Sequence, residues 1–195
     1  MHTADARQRL LAAGKTILRE EGMEAVTVRR LAAAAACTYP LLYHYFPSLE
    51  AYFWELRLSL IADVVTELTA LPPTAADPVE GLKQTFRAYA GYFFINPTLF
   101  RFFFARPFVR PEGDTRYAAL EQFFHSQWAG SFAGLVQAGL LAAAEVETVA
   151  KTLIYAVQGM ILLALSANGS LTEAAVYAEI DALLDFLLRK EHPHG

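Results

Sequence analysis

Between Thr27 and Glu50 the chain reads TVRRLAAAAACTYPLLYHYFPSLE, and the side chains there that could do chemistry fall into two sets. Arg29 and Arg30 follow Thr27 at a predicted helix start, where the helix dipole already places roughly half a positive charge and disfavours cations. A phosphate reverses the sign of that misfit, because helix-start amides and guanidinium groups then point at the same anion. The bland alternative is that both arginines are simply solvated. The second set is Tyr39, Tyr43, His44 and Tyr45, with Pro40 and Leu41 among them. Two helical turns cannot bury that many rings. In a DNA groove a tyrosine can give its hydroxyl to a phosphate and its ring to a thymine methyl, whereas Pro40 and Leu41 can make only apolar contacts. Neither set is catalytic. No nucleophile, base and orienter occur together, no phosphate loop is present and no Cys/His cluster has metal-ligand spacing, so the sequence predicts no enzyme, no metal and no cofactor.

The elements that must position these residues are short. Thr27 is a good N-cap for one helix and Thr38 for a second, and two short capped helices in tandem predict a helix-turn-helix. If Thr38 is the cap, its hydroxyl must reach the amide of Leu41, because Pro40 has none to offer. The residue before a proline is biased away from helical geometry, so Tyr39 is either the first helical residue or the last non-helical one. In either register Leu42 and Phe46 share a face. A preceding helix from about Ala4 to Glu21, closed by Gly22, carries Leu10, Leu11, Ile17 and Leu18 at helical spacing. It completes a three-helix unit with Met23, Val26, Leu31, Leu42 and Phe46.

Pro47-Ser48 then starts a long helix with Leu49, Tyr52, Phe53, Leu56, Leu60, Ile61, Val64 and Leu68 on one stripe, stopped by Pro72-Pro73. Asp77-Pro78 starts another, ending at Asn96-Pro97. A short helix over 97–105, a polar loop around Pro111 to Asp114 and a long helix from Thr115 to about Ala138, closed by Gly139, follow. The last two run over roughly 145–167 and 171–190. No segment alternates with period two for long enough to suggest a sheet. The expected fold is all-α, with about nine helices.

A chain of 195 residues is long enough for one large or two small domains. Its 55% hydrophobic and 18% charged content leaves an apolar surplus to bury. The lone Cys37 excludes a disulfide framework within the chain and fits a reducing cytoplasm. The N-terminus has no continuous apolar stretch of the signal-peptide kind. Net charge is −4 overall, but residues 1–57 hold seven Lys/Arg against six Asp/Glu and residues 58–195 hold nine against fourteen. That asymmetry permits a DNA-binding head on an acidic body without demonstrating one. Residues 126–144 and 152–172 carry no charged side chain, a length that could span a bilayer. The polar residues Gln127, Gln137, Gln158, Ser166 and Asn168 inside them, and the lack of an aromatic belt or basic flank, favour helices at an oligomer interface instead, so no membrane partner is expected.

Helix one with Gly22, then Thr27, Arg30-Leu31-Ala32, the turn Ala35-Ala36-Cys37-Thr38, the run Leu42-Tyr43-His44-Tyr45-Phe46, and Ser48 with Glu50 together resemble the N-terminal domain of the tetracycline-repressor (TetR) family of transcriptional regulators. The resemblance implies a helix-turn-helix DNA-binding domain over 1–47 and a helical ligand-binding and dimerisation domain over 48–195. Carried over position by position, the DNA-contact candidates are Thr27, Arg29, Thr38, Tyr39, Pro40, Leu41, Tyr43, His44 and Tyr45. Three positions depart from the family's pattern: Ala36 and Pro40 stand where glycine is usual, and Leu49 where a phosphate-contacting lysine is common. Alanine is strained in a left-handed turn, and the loss of the lysine removes one salt-dependent contact.

In the remainder, nine of the twenty residues from Tyr89 to Phe108 are aromatic. Ordinary core packing explains any one ring. As a group, with the resemblance, they point to an apolar effector pocket, whose candidate residues are Tyr89, Phe93, Phe104, His125, Trp128 and Gln158, Arg106 being a further source of polar contact. Apolar stripes on the last two helices (Val146, Val149, Leu153, Val157, Met160, Ile161 and Ala164; Val176, Ile180, Leu183, Leu184 and Leu187) predict a four-helix homodimer interface. The expected protein is a cytoplasmic homodimer that binds double-stranded operator DNA and a small-molecule effector, a repressor released from a palindromic operator. The alternative is a helical dimeric interaction or sensing module with weak or lost DNA binding.

Overall fold

The computed structural model describes residues 3–70, 75–166, 169 and 171–188, and of residues 3–4, 69 and 119–129 the backbone alone. Among the described residues the chain forms nine α-helices and no strand, as the sequence predicts. They are α1 (Thr3–Glu20), α2 (Val28–Ala34), α3 (Tyr39–Tyr45), α4 (Leu49–Thr69), α5 (Pro78–Ile95), α6 (Pro97–Phe100), α7 (Arg116–Gln137), α8 (Val146–Ala164) and α9 (Glu173–Leu187). The stop expected at Pro72-Pro73 and the helix ends expected at Ala167 and Lys190 lie outside the described residues.

The punctuation follows the side chains. Thr27, Ser48 and Thr172 each accept a hydrogen bond from the amide three residues on, at 3.0–3.2 Å, and Asp77 does the same for Glu80 at 3.0 Å. These groups satisfy helix-start amides that have no partner within the helix. Gly22, with φ +93° and ψ 173°, ends α1 in a backbone region that is essentially open to glycine alone.

The chain packs as two compact units. One comprises Met1–Thr66 and Asn96–Glu121, the other Glu67–Ile95 and Gln122–Gly195. In the first, α1 lies against α2, α3 and α6. Leu10, Leu11, Ile17 and Leu18 of α1 are buried with Val26, Leu31, Leu42, Phe46, Tyr52 and Leu56, while Met23 is half-buried. Tyr52 locks α4 to α1. Its ring is fully buried, edge-on to Phe46 at 5.0 Å, and its hydroxyl donates to the Leu10 carbonyl oxygen at 2.8 Å. Burial raises the hydroxyl's pKa, so it stays a neutral donor.

The second part of this unit covers the other side of α4. After α6 the backbone makes a π-helical turn over Arg101–Ala105, with the Arg106 amide donating to the Arg101 carbonyl at 3.2 Å. The turn seats Phe102, which is fully buried, 6.1 Å from Phe53 and 5.1 Å from Phe108. Trp54 donates its indole N–H to Asp114 at 2.8 Å, and Arg116 binds the same carboxylate, holding its pKa well below the usual carboxylate range.

In the second unit α5, α8 and α9 pack on one another. Phe86, Tyr89 and Phe93 of α5 are buried with Leu153, Val157 and Ile161 of α8 and Val176, Ile180 and Leu184 of α9. Lys83 and Arg87, one turn apart on α5, pair with Asp185 and Asp181 of α9.

Gly14 is the close approach that the α1–α4 contact requires. A Cβ there would sit 1.8 Å from the Tyr52 hydroxyl oxygen. Although alanine is the better helix former by about 1 kcal/mol, Gly14→Ala is expected to lower stability by about 1–3 kcal/mol in urea unfolding. Adding Tyr52→Phe should recover part of that loss; full stability in the single variant would disprove the constraint.

Candidate nucleic-acid interface

Helix α3 has seven residues, too few to be stable alone, so its rotation is set by what it buries. Leu42 and Phe46 are 0% and 1% exposed. Leu41 and Tyr45 flank them and are half-buried, the Tyr45 ring lying 5.1 Å from His44 and 6.5 Å from Phe46. The opposite face is left outward: Tyr39 is 50% exposed, Tyr43 is 49% exposed, and Pro40 and His44 are exposed with them. Tyr39 and Tyr43 are one turn apart and stand side by side.

Thr38 caps α3 as its sequence requires. Its backbone is extended and its hydroxyl accepts from the Leu41 amide at 3.4 Å, past the proline at the second helical position. Tyr39 is therefore the first helical residue. The preceding turn is a Schellman motif. The Cys37 amide donates to the Ala32 carbonyl at 2.9 Å, the Ala36 amide to Ala33 at 3.3 Å, and Ala36 has φ +50°. The turn is thus built in the usual way with alanine where glycine would be unstrained, and Ala36 is the one non-glycine residue at positive φ among the described residues.

The two arginines at the start of α2 have different fates. Arg30 is held by Glu21, its Nε donating to the carboxylate at 3.2 Å, and each group pushes the other's pKa toward the charged form. Nothing among the described residues holds Arg29, which is exposed beside the exposed cap Thr27. Other cations of the head also have internal partners: Arg7 pairs with Glu55, Lys15 with Asp63 at 2.7 Å, and Arg57 lies 4.3 Å over the Phe108 ring and donates to the Tyr117 hydroxyl.

The predicted effector residues divide between the units. Tyr89, Phe93 and Gln158 come together in the second unit. Tyr89 and Phe93 are 3% and 2% exposed with ring centroids 5.1 Å apart, and Gln158 Nε2 donates to the Tyr89 hydroxyl oxygen at 3.2 Å. Burial raises the Tyr89 pKa. Phe104 belongs to the first unit, 44% exposed and 4.8 Å from Phe100. His125 and Trp128 lie on α7, where the side chains are outside the described residues. Arg106 is committed elsewhere: its guanidinium stacks 4.2 Å over Phe53 and 4.9 Å over Phe108 and pairs with Glu50 at 2.7 Å, with only 13% of its side chain exposed.

The stripes expected to form the dimer are largely used within the chain, Leu153, Val157, Ile161, Val176, Ile180 and Leu184 being buried. A different apolar face is left open. Tyr155, Leu162 and Leu163 on α8 are 67%, 49% and 51% exposed, and Phe186 on α9 is 70% exposed. Residues 155, 159, 162 and 163 share one side of a helix. By length and composition alone, the segment Ala143–Ala164 is long and apolar enough to cross a membrane, and only 17% of its most apolar window is buried within the chain.

An all-helical chain with a capped helix-turn-helix and an outward tyrosine face belongs to the class of helix-turn-helix regulators. Residues 10–55 match the family described as bacterial regulatory proteins, tetR family. No curated protein matches the chain. Among solved structures it resembles the TetR-family repressor FadR of Thermus thermophilus, in complex with lauroyl-CoA, with 22% identity over 97% of this chain and 98% of that one, at a TM-score of 0.67. It also resembles the fatty acid degradation regulator FadR of Bacillus halodurans, with 13% identity over 94% and 98% and a TM-score of 0.61. A third is the TetR-family regulator PfmR, also of Thermus thermophilus, with 23% identity over 94% and 95% and a TM-score of 0.57. At these identities the likeness is one of fold.

The strained turn yields a prediction. Left-handed alanine costs about 1–2 kcal/mol, and glycine returns part of that gain through its freer unfolded state. Ala36→Gly should therefore stabilise the chain by about 0.5–1 kcal/mol, raising the thermal midpoint by about 1–4 °C. A lowered midpoint would show that the turn is not strained.

Proposed function

We propose that the protein is a homodimeric, ligand-responsive transcriptional regulator acting in the cytoplasm, a repressor that leaves a palindromic operator when a largely apolar small molecule binds. The observation that carries this reading is the outward face of α3. Tyr39 and Tyr43 stand half-exposed beside Pro40 and His44 on a helix whose other face is buried at Leu42, an arrangement that leaves about half of each tyrosine outside the packing of the chain. Residues 1–47 form the DNA-binding domain in this reading. Thr27, Arg29, Thr38, Tyr39, Pro40, Tyr43 and His44 contact the duplex, and the half-buried Leu41 and Tyr45 contribute at its edge. Residues 48–195 bind effector and partner, Tyr89, Phe93, Phe104, His125, Trp128 and Gln158 being the effector candidates. The dimer forms through α8 and α9, whose exposed Tyr155, Leu162, Leu163 and Phe186 supply the apolar face a partner would cover. Two recognition helices would then address half-sites about 34 Å, one DNA turn, apart.

The effector acts as a population shift: bound in the second domain, it favours an arrangement whose recognition helices no longer match successive major grooves. A coupling of about 1–3 kcal/mol changes operator occupancy about 5- to 150-fold. The Tyr89–Gln158 pair, set in an otherwise apolar core, is suited to orient one polar group of such a molecule. That the Thermus FadR structure holds lauroyl-CoA makes acyl thioesters the first compounds to test.

Two observations favour a second reading, a dimeric interaction module with weak or lost DNA binding. Glu21 takes up Arg30, and Leu49 stands where the family commonly has a phosphate-binding lysine.

Three measurements test these assignments. Tyr43→Ala should weaken binding to DNA from upstream of the protein's own gene about tenfold or more while leaving the thermal midpoint unchanged. The logarithm of the wild-type affinity should fall with the logarithm of salt concentration at a shallow slope of about −2, one contact from the exposed Arg29 of each protomer. A slope of zero, or no binding, would establish the interaction module instead. For the effector, Gln158→Leu should raise the acyl-thioester concentration needed for operator release about 5- to 10-fold with effector-free DNA binding intact; unchanged release would remove Gln158 from the site.

A further inference from the structure

From Leu31 to Leu49 the chain contains no Lys, Arg, Asp, Glu, Asn or Gln. That stretch includes the whole turn and the whole of α3. Those six residue types make the discriminating hydrogen bonds of the major groove: arginine or lysine to guanine, asparagine or glutamine to adenine, and a carboxylate to the cytosine amino group. A recognition helix without them cannot read a base by a bidentate bond. Its outward face offers the Tyr39 and Tyr43 rings, the Pro40 ring and the single imidazole of His44, with the Thr38 methyl and hydroxyl at its start. Hydroxyls bond to phosphates or to several base edges alike, and one imidazole makes one bond. Of the features a base pair presents in the major groove, only the thymine C5-methyl is apolar.

We infer that α3 reads its operator chiefly through thymine methyl groups, so that each half-site carries a cluster of thymines rather than a guanine-centred recognition step. This inference rests on the DNA-binding reading above and adds the chemical class of sequence recognised. A helix of seven residues is about 10 Å long, and at 3.4 Å per base pair it faces about three base pairs. The cluster is therefore short. Tyr39 and Pro40, at the start of the helix, and Tyr43, one turn later, address different steps of it. Both tyrosine rings have about half of their surface available for contact, so removing either leaves the buried face of α3 intact.

The test uses the purified full-length protein and duplex fragments that it selects from a random-sequence pool. In the selected half-site, each thymine is replaced in turn by deoxyuridine, which keeps the base pair and removes only the methyl group. Affinity should fall about fourfold for each contacted thymine, the value of one buried methyl. Replacing guanine by 7-deazaguanine, which removes the N7 acceptor, should leave affinity unchanged. In Tyr39→Ser the thymine-to-uracil difference should vanish at one position and persist at the others, which a general loss of folding cannot produce. Uracil half-sites that bind as well as thymine ones, or selected half-sites whose affinity depends on guanine N7, overturn the inference and leave the DNA-binding reading standing. Failure to select any DNA overturns both.

Discussion

The phase of one seven-residue helix governs the head. Helix α3 cannot hold itself together, so it exists only as far as Leu42 and Phe46 are buried, and their burial dictates which four residues point outward. Phe46 in turn is held edge-on by Tyr52, and Tyr52 reaches α1 only because residue 14 has no side chain. A glycine on α1, a tyrosine on α4 and a phenylalanine at the end of α3 thus form one chain of contacts. Rotating α3 by a single residue would put Tyr43 into the core and Leu42 into water. The apolar inner face is also what permits so uncharged an outer one, because the helix needs no surface ion pairs to stay in place.

Electrostatics in this head serves packing more than attraction. Arg7, Lys15, Arg30 and Arg106 are each matched to a carboxylate on another element, and Arg57 and Arg106 lie over aromatic rings. Exposed pairs of this kind add little stability, but each one removes a cation from the field that a phosphate backbone would feel. The near-zero charge of residues 1–57 therefore understates how little positive charge is free. A head so neutralised has to obtain its selectivity from shape and apolar contact.

Much of this was legible in the residues. Thr27, Thr38, Ser48 and Asp77 act as caps because short oxygen-bearing side chains next to a helix start have little else to bond, and that logic is local. The consequence of Pro40, a cap bond displaced to Leu41, is equally local and follows from one missing amide. The long-range facts were not legible. The aromatic run from Tyr89 to Phe108 reads as one cluster along the chain, yet Asn96-Pro97 breaks the helix and its two halves enter different packing units, with Phe102 against α4 and Phe93 beside Tyr89. Periodicity marked one apolar stripe on each of α8 and α9 and assigned it to a dimer interface, but could not say that this stripe turns inward. The buried set proved to be Leu153, Val157 and Ile161, leaving Tyr155, Leu162 and Leu163 outside. The partners of Arg106 are likewise invisible in sequence, since Glu50 is 56 residues away.

That last pairing bears on how far the head extends as a mechanical object. Glu50 lies in the first turn of α4, four residues after Phe46 closes α3, and Arg106 reaches it from the end of the π-helical turn. The guanidinium is not merely a surface partner: with 13% of its side chain exposed and two rings stacked against it, it can move only if Phe53 and Phe108 repack. A π-helical turn stores one residue more than an α-turn, and relaxing it to α geometry would shift everything after it by about 100° around the helix axis. Such a change in 101–105 would withdraw Phe102 and Arg106 together from α4. The segment before α7 and the start of α4 are therefore joined by a mixed contact of charge and stacked rings, which acts beside the Trp54–Asp114 hydrogen bond and the Phe53–Phe102 pair in fixing the base of α3.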